Sequence, residues 1–125
     1  MLLFLDDKRV PYDVFRDTIN PLYEKNDDWV IVRNYYEFIN VIQRVGVPKF
    51  ISFDHDLDYD HYLMENQKDI NYDGLNSKTG YDAAIWLCKY CLTNDLELPE
   101  YYVHSANLEG KKNIVDYLET FSKYV

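Results

Sequence analysis

Leu2-Leu3-Phe4-Leu5-Asp6-Asp7 and Phe50-Ile51-Ser52-Phe53-Asp54-His55-Asp56 are built alike: a short β-prone run that breaks off into acids. Runs of this length bounded by polar turn signals read as strands buried in a sheet. Two further runs fit the same description. Trp29-Val30-Ile31-Val32 follows the turn-forming Asn26-Asp27-Asp28, and Tyr101-Tyr102-Val103 follows Pro99 and delivers His104-Ser105.

Helical periodicity fills the intervals. Pro11 opens a short stretch with Val14, Phe15, Thr18 and Ile19 at helical spacing, ended by Pro21. Phe38, Ile39, Ile42 and Val45 form a stripe that Asn34 can cap and Gly46 can end. Thr79, with Asp82 three residues on, can open a helix from Gly80 to about Thr93. Asn107 can cap a last helix that turns Ile114, Val115, Leu118 and Phe121 inward. Strands alternating with helices predict an α/β fold, a three-layer sandwich around a central, mainly parallel sheet of four or five strands. The polar stretch at about 58–78 is long for a connection in so small a chain and reads as an inserted binding or lid loop. With 125 residues and no internal linker, the chain is expected to form a single domain over 1–125.

In open α/β sheets ligands bind beyond the carboxyl ends of the strands. The sequence loads that edge with Asp6-Asp7, Asp54-His55-Asp56 and His104-Ser105. One Asp after a strand is an ordinary turn residue. Four Asp and two His at matching ends of three strands instead predict one crevice. Crowded carboxylates need a compensating cation or a raised pKa, so a divalent metal is expected. Oxygen ligands favour Mg²⁺, and a ligating histidine shifts the preference toward Mn²⁺ or another transition metal. Strand alternation should turn His55 away from the side faced by Asp54 and Asp56, which leaves it to hold the loop. Ser105 and the Thr79-Gly80 helix start are candidate phosphoryl contacts, as are Lys8, Arg9, Arg33 and Lys111-Lys112. Capping explains Thr79, Asp82 and Asn107 as well.

Lys and Arg number 13 against 22 Asp and Glu, a net charge of −9, which argues against a duplex nucleic-acid clamp or an anionic membrane surface. Cys88 and Cys91 have C-x-x-C spacing inside a helical stretch rather than at its start, and read as core thiols. Leu2 to Leu5 is too short for a signal peptide or span, so a cytoplasmic location is expected.

Leu5-Asp6-Asp7, Asp54 and Ser105 together resemble the receiver domains of two-component response regulators. That resemblance implies a receiver-like (flavodoxin-like) fold in which the early acid pair and Asp54 bind Mg²⁺, Asp54 accepts phosphate, and Ser105 contacts the phosphoryl group. No fifth strand followed by a lysine is apparent, and His55-Asp56, His104 and the insert are foreign to ordinary receivers. Four ordered strings are closer to another group: Leu-Asp-Asp-x-Arg-x-Pro at 5–11, Ser-Phe-Asp-His-Asp-Leu at 52–57, Thr-Gly-x-Asp-Ala-Ala at 79–84 and Val-His-Ser-x-Asn at 103–107. Over nearly the whole chain they are similar to the cyclic-phosphate-processing receiver-like domains of bacteria and phages.

This second resemblance implies hydrolysis of a cyclic phosphodiester on a nucleotide, an RNA end or a related small molecule. Asp6, Asp7, Asp54 and Asp56 would hold Mg²⁺ or Mn²⁺, and Asp54, Asp56, His55 and His104 would be catalytic, with His104 as general acid or base. Ser105, Thr79, Gly80, Arg9 and Asn107 would hold the substrate. The location would be the cytoplasm, that of the host for a phage protein. Two alternatives stand beside it: a signalling receiver phosphorylated on Asp54, and a noncatalytic protein that sequesters a nucleotide. The tyrosines of the insert, Tyr59, Tyr62 and Tyr72, and the two tryptophans, Trp29 and Trp86, are candidate stacking partners for a base.

Overall fold

The structure is a computed structural model that describes residues 1–63 and 68–123. Its sheet has four parallel strands, β1 (Leu2–Leu5), β2 (Trp29–Val32), β3 (Phe50–Phe53) and β4 (Glu100–Val103), in the order β2-β1-β3-β4. The helices are α1 (Pro11–Thr18), α2 (Tyr35–Val45), α3 (Tyr59–Leu63), α4 (Gly80–Thr93) and α5 (Leu108–Ser122). The order reverses between β1 and β3, the switch point at which crevices open in this architecture.

The expected capping residues start the helices. The Asn34 side chain accepts from Glu37 N at the start of α2, and Asn107 accepts from Gly110 N at the start of α5. Thr79 and Asp82 form the reciprocal box that opens α4. Gly46, at φ 110°, ends α2 in a conformation that a β-carbon would strain.

Alternation along the strands divides the core in two. Leu3, Leu5, Ile51, Phe53 and Val103 face one side, where α2, α4 and α5 bury Phe38, Ile42, Ala83, Leu87, Ile114 and Leu118 against them. Phe4 faces the other side with Val14 of α1, Tyr23 and Trp29. The result is three layers and an α/β receiver-like fold, with the second helical layer reduced to α1 and the 3₁₀ turns at Pro21–Tyr23 and Asn26–Asp28. Four strands are present, with no fifth among the described residues. Cys88 and Cys91 are free, buried thiols on α4, and burial raises both pKa values, Cys88's to about 12.

The 58–78 stretch, expected as an inserted binding or lid loop, contains short helical segments. It carries α3 and a 3₁₀ turn at Tyr72–Gly74, and residues 64–67 lie outside the described residues. Its two arms are tied together: Ser77 Oγ donates to Asp58 Oδ2 at 2.9 Å and Asn76 N to Asp60 Oδ2 at 2.7 Å. Buried His61 accepts from Leu57 N through Nδ1 and lies 3.0 Å from Ser77 O through Nε2. The high polarity that reads as a loop is spent on side-chain bonds within the stretch. Among the described residues no helix is long and apolar enough to cross a membrane.

Candidate functional site

Asp6, Asp54 and His104 each follow a strand in phase with Phe4, Ser52 and Tyr102, so alternation aims all three at the α1 side of the sheet. One ligand atom from each lies within 4.8 Å of the others, and all three residues are buried. The trio is close enough to bind a metal ion. A cavity of about 290 Å³ opens above it, lined by Asp6, Lys8, Arg9, Asp54, Asp56, Tyr62, Ser105 and Ala106.

The two carboxylates of the trio are treated very differently. Asp6 Oδ1 accepts from Lys8 N and Arg9 N, and Oδ2 accepts from Arg9 Nε at 2.8 Å and lies 3.0 Å from His104 Nε2. Burial alone would raise its pKa. The bonds from His104 and the two backbone amides, with the Arg9 charge, outweigh that and hold it well below the usual carboxylate range. Among the described residues Asp54 accepts only its neighbour's amide, His55 N at 2.8 Å, and has Arg9 Nη2 no nearer than 3.7 Å. Burial, then the charge of Asp6, pushes it up to about 8. Two buried carboxyls, one ionised and one that resists ionisation, beside an imidazole are a donor set for a divalent metal or a shared proton.

His104 is sealed beneath this pair. Its ring stacks on Phe4 at 4.5 Å, its side chain is 1% exposed, and burial lowers its pKa despite Asp6. Both ring nitrogens are engaged, Nε2 with Asp6 and Nδ1 with Ser52 Oγ at 2.6 Å. Any proton passing between His104 and the cavity must therefore cross Asp6.

The remaining acids stand outside the trio. Asp7 Oδ1 accepts from Tyr62 OH at 2.7 Å, and Lys8 Nζ lies 4.7 Å from the centre of the Tyr62 ring. Asp56 lines the cavity, with Oδ1 held by His55 Nδ1 at 2.7 Å and Asn107 Nδ2 at 3.1 Å. His55 faces away, as alternation requires, and Tyr72 OH lies 2.8 Å from its Nε2. Tyr62 and Tyr72 thus anchor the insert to the site, and Tyr72 stacks on Tyr81 of α4.

Among the candidate phosphate contacts, Arg9 and Ser105 reach the cavity, and Ser105 Oγ also accepts from Asn107 N. Lys8 joins them. Arg33 instead braces the backbone, donating through Nη1 to the carbonyls of Asp6 and Arg9. Lys111 reaches Tyr102, 5.0 Å from its ring centre, and Lys112 pairs with Asp116. At Thr79-Gly80 the amides are already committed, Gly80 N to His55 O and both Tyr81 N and Asp82 N to Thr79 Oγ1. This helix start serves packing: a β-carbon on Gly80 would lie 1.8 Å from Asp54 O. Asn107 is likewise a clamp, capping α5 while holding Asp56. Asn107→Ala is expected to cost about 1–2 kcal/mol in a urea melt through the lost cap and the released Asp56 carboxylate. An unchanged midpoint would dismiss that role.

Tyr23 and Ser52 were not among the residues singled out from sequence. The signal was a lone hydroxyl inside an apolar strand: Ser52 shares its phase with Asp54 and lies directly behind the site.

No curated protein and no solved structure gives a significant match to this chain. A family profile described as the cyclic-phosphate processing receiver domain matches residues 1–120. With a receiver-like sheet carrying an acid and histidine cluster at its switch point, the chain belongs to the cyclic-phosphate processing receiver domain family.

Proposed function

We propose that the protein is a metal-dependent phosphoesterase that opens a cyclic phosphate on a nucleotide, an RNA end or a related small molecule. The observation that carries this reading is the sign pattern of the cavity: an undercompensated carboxyl at Asp54 beside the well-bonded Asp6, beneath the cationic Arg9 and Lys8. A site for phosphate chemistry needs both signs, cations for the phosphoryl oxygens and acids for a metal or a proton.

A divalent cation, Mg²⁺ or Mn²⁺, held by the carboxylates of Asp6 and Asp54 beside His104, would neutralise phosphoryl charge and lower the pKa of a bound water. Arg9, fixed by Asp6 through Nε, turns its Nη2 edge toward Asp54 and binds a nonbridging oxygen. Ser105 donates its hydroxyl to a second oxygen. Asp56, with Oδ1 clamped by His55 and Asn107, uses Oδ2 as general base toward the attacking water. Tyr62 and Lys8 close one wall around the group that bears the phosphate.

The test is a turnover screen against 2′,3′-cyclic and 3′,5′-cyclic nucleotides and cyclic-phosphate RNA ends, with Mg²⁺, Mn²⁺ or chelator, beside Asp54→Ala. Chelator-sensitive turnover lost in the variant is expected. A stoichiometric acid-labile adduct without turnover would favour a phosphoacceptor, and tight chelator-insensitive binding without product would favour sequestration.

A further inference from the structure

A buried chain of polar atoms runs along the α1 face of the sheet behind the site, and the established family membership assigns it no part. Tyr23, on the 3₁₀ turn before β2, is fully buried between Trp29, Phe50 and Tyr102. Its hydroxyl lies 2.8 Å from Ser52 Oγ. Ser52, in β3 and also fully buried, lies 2.6 Å from His104 Nδ1, and His104 Nε2 lies 3.0 Å from Asp6 Oδ2. The direction of the protons along this chain is set by its far end. Tyr23 OH makes no other hydrogen bond among the described residues. If Ser52 donated to Tyr23, the phenolic proton would be buried without an acceptor, and an unmade buried bond costs the full desolvation of that group.

The phenol therefore donates to Ser52 Oγ, and the serine hydroxyl donates to Nδ1. The imidazole then keeps its single proton on Nε2 and donates to Asp6 Oδ2. That direction also agrees with the ionised state of Asp6, which accepts at both oxygens. Nitrogen ligation of a metal through Nε2 would need the proton on Nδ1, which leaves the hydroxyl proton of either Tyr23 or Ser52 without an acceptor among the described residues.

We infer that Tyr23 and Ser52 are positioning residues that lock His104 as a hydrogen-bond donor to Asp6, so that the metal of the proposed function is held through oxygen and His104 stands behind its ligands. This rests on the metal-dependent reading above and narrows it: the chain selects a hard cation such as Mg²⁺ by withholding the nitrogen lone pair that a softer metal such as Zn²⁺ would use.

The experiment is ¹⁵N NMR of the His104 ring in the full-length protein, metal-free and then titrated with Mg²⁺ or Zn²⁺, for wild type, Tyr23→Phe and Ser52→Ala. Tyr23→Phe keeps the aromatic packing and removes only the terminal donor. Wild type is expected to carry its ring proton on Nε2 without metal and to keep it with Mg²⁺ bound. Tyr23→Phe is expected to populate the Nδ1–H tautomer and to gain at least about tenfold in Zn²⁺ affinity relative to Mg²⁺. Ser52→Ala supplies the same comparison if Tyr23→Phe does not fold. A wild-type ring protonated on Nδ1, or one that loses its Nε2 proton as Mg²⁺ binds, would overturn the inference, as would an unchanged metal preference in both variants. If Mg²⁺ leaves every site resonance unmoved, the metal-dependent reading fails, and the metal-free spectrum still decides the wiring.

Discussion

Asp54→Asn is expected to make the metal-free protein more stable at pH 8 while removing its turnover. Burial and the nearby Asp6 charge raise the Asp54 pKa to about 8 in the fold. In the unfolded chain it returns to about 3.9. Between those values the folded state binds the extra proton, so the contribution is full below pH 4 and is lost as pH rises toward 8. His104 acts in the opposite sense. Burial lowers its pKa, so its contribution is present above about 6.5 and is lost as pH falls below that. Asp6, depressed, loses its contribution only in more acidic solution.

The window from about pH 6.5 to 8 therefore belongs to Asp54 alone among the three. Wild-type stability should decline there by on the order of 1–2 kcal/mol, roughly 4–8 °C in melting temperature, and Asp54→Asn should abolish the decline. Bound Mg²⁺ should abolish it too, because the cation replaces the proton. Turnover in the variant should fall by about 10³-fold or more, since on the proposed reading several kcal/mol of charge stabilisation at the phosphoryl group depend on a metal that Asp54 would hold. A wild-type melting curve flat from pH 6.5 to 8 would show that Asp54 is ionised without a cation.

Of the four glycine-to-alanine changes, Gly80→Ala should bring its added carbon closest to fixed backbone and be severely damaging. Its β-carbon would meet Asp54 O at 1.8 Å and Asp54 C at 2.8 Å, backbone atoms that cannot swing aside. Gly80 N also donates to His55 O at 2.9 Å, so the helix start is pinned from both directions. Relief requires α4 to withdraw from the end of β3, which would uncover Leu87 and Ala84 and displace Asp54. A loss of about 3–5 kcal/mol, or failure to fold, is expected in chemical denaturation. Gly74→Ala supplies the contrast, because the atoms nearest its added carbon belong to the Asn71 side chain, from 2.9 Å, and that amide can move. Its cost should stay under about 1 kcal/mol. Equal costs for the two substitutions would contradict the close packing at Asp54.

Much of this site is written in strand phase. Once Phe4, Ser52 and Tyr102 are assigned to one face, Asp6, Asp54 and His104 must follow on the same side, and His55 must turn to the other. Caps at Asn34, Thr79 and Asn107 were legible for the same reason: each is a short polar side chain immediately ahead of a periodic apolar stripe. The insert was not legible. Its bonds join Asp58 to Ser77 and Asp60 to Asn76, partners far apart in sequence, and its contacts with Asp7 and His55 depend on where Tyr62 and Tyr72 land in the fold. Thr79-Gly80 reads equally well as an anion cradle or a close-packed helix start. The carbonyl of His55 above it decides between them, and no local pattern reveals that carbonyl.

The most direct test of the central claim is ³¹P NMR of cyclic nucleotides incubated with wild type and with Asp54→Asn, each with Mg²⁺ and with chelator. The account predicts a phosphomonoester resonance that grows beyond protein stoichiometry only for wild type with Mg²⁺. Conversion that persists in chelator, or proceeds equally in Asp54→Asn, would contradict it.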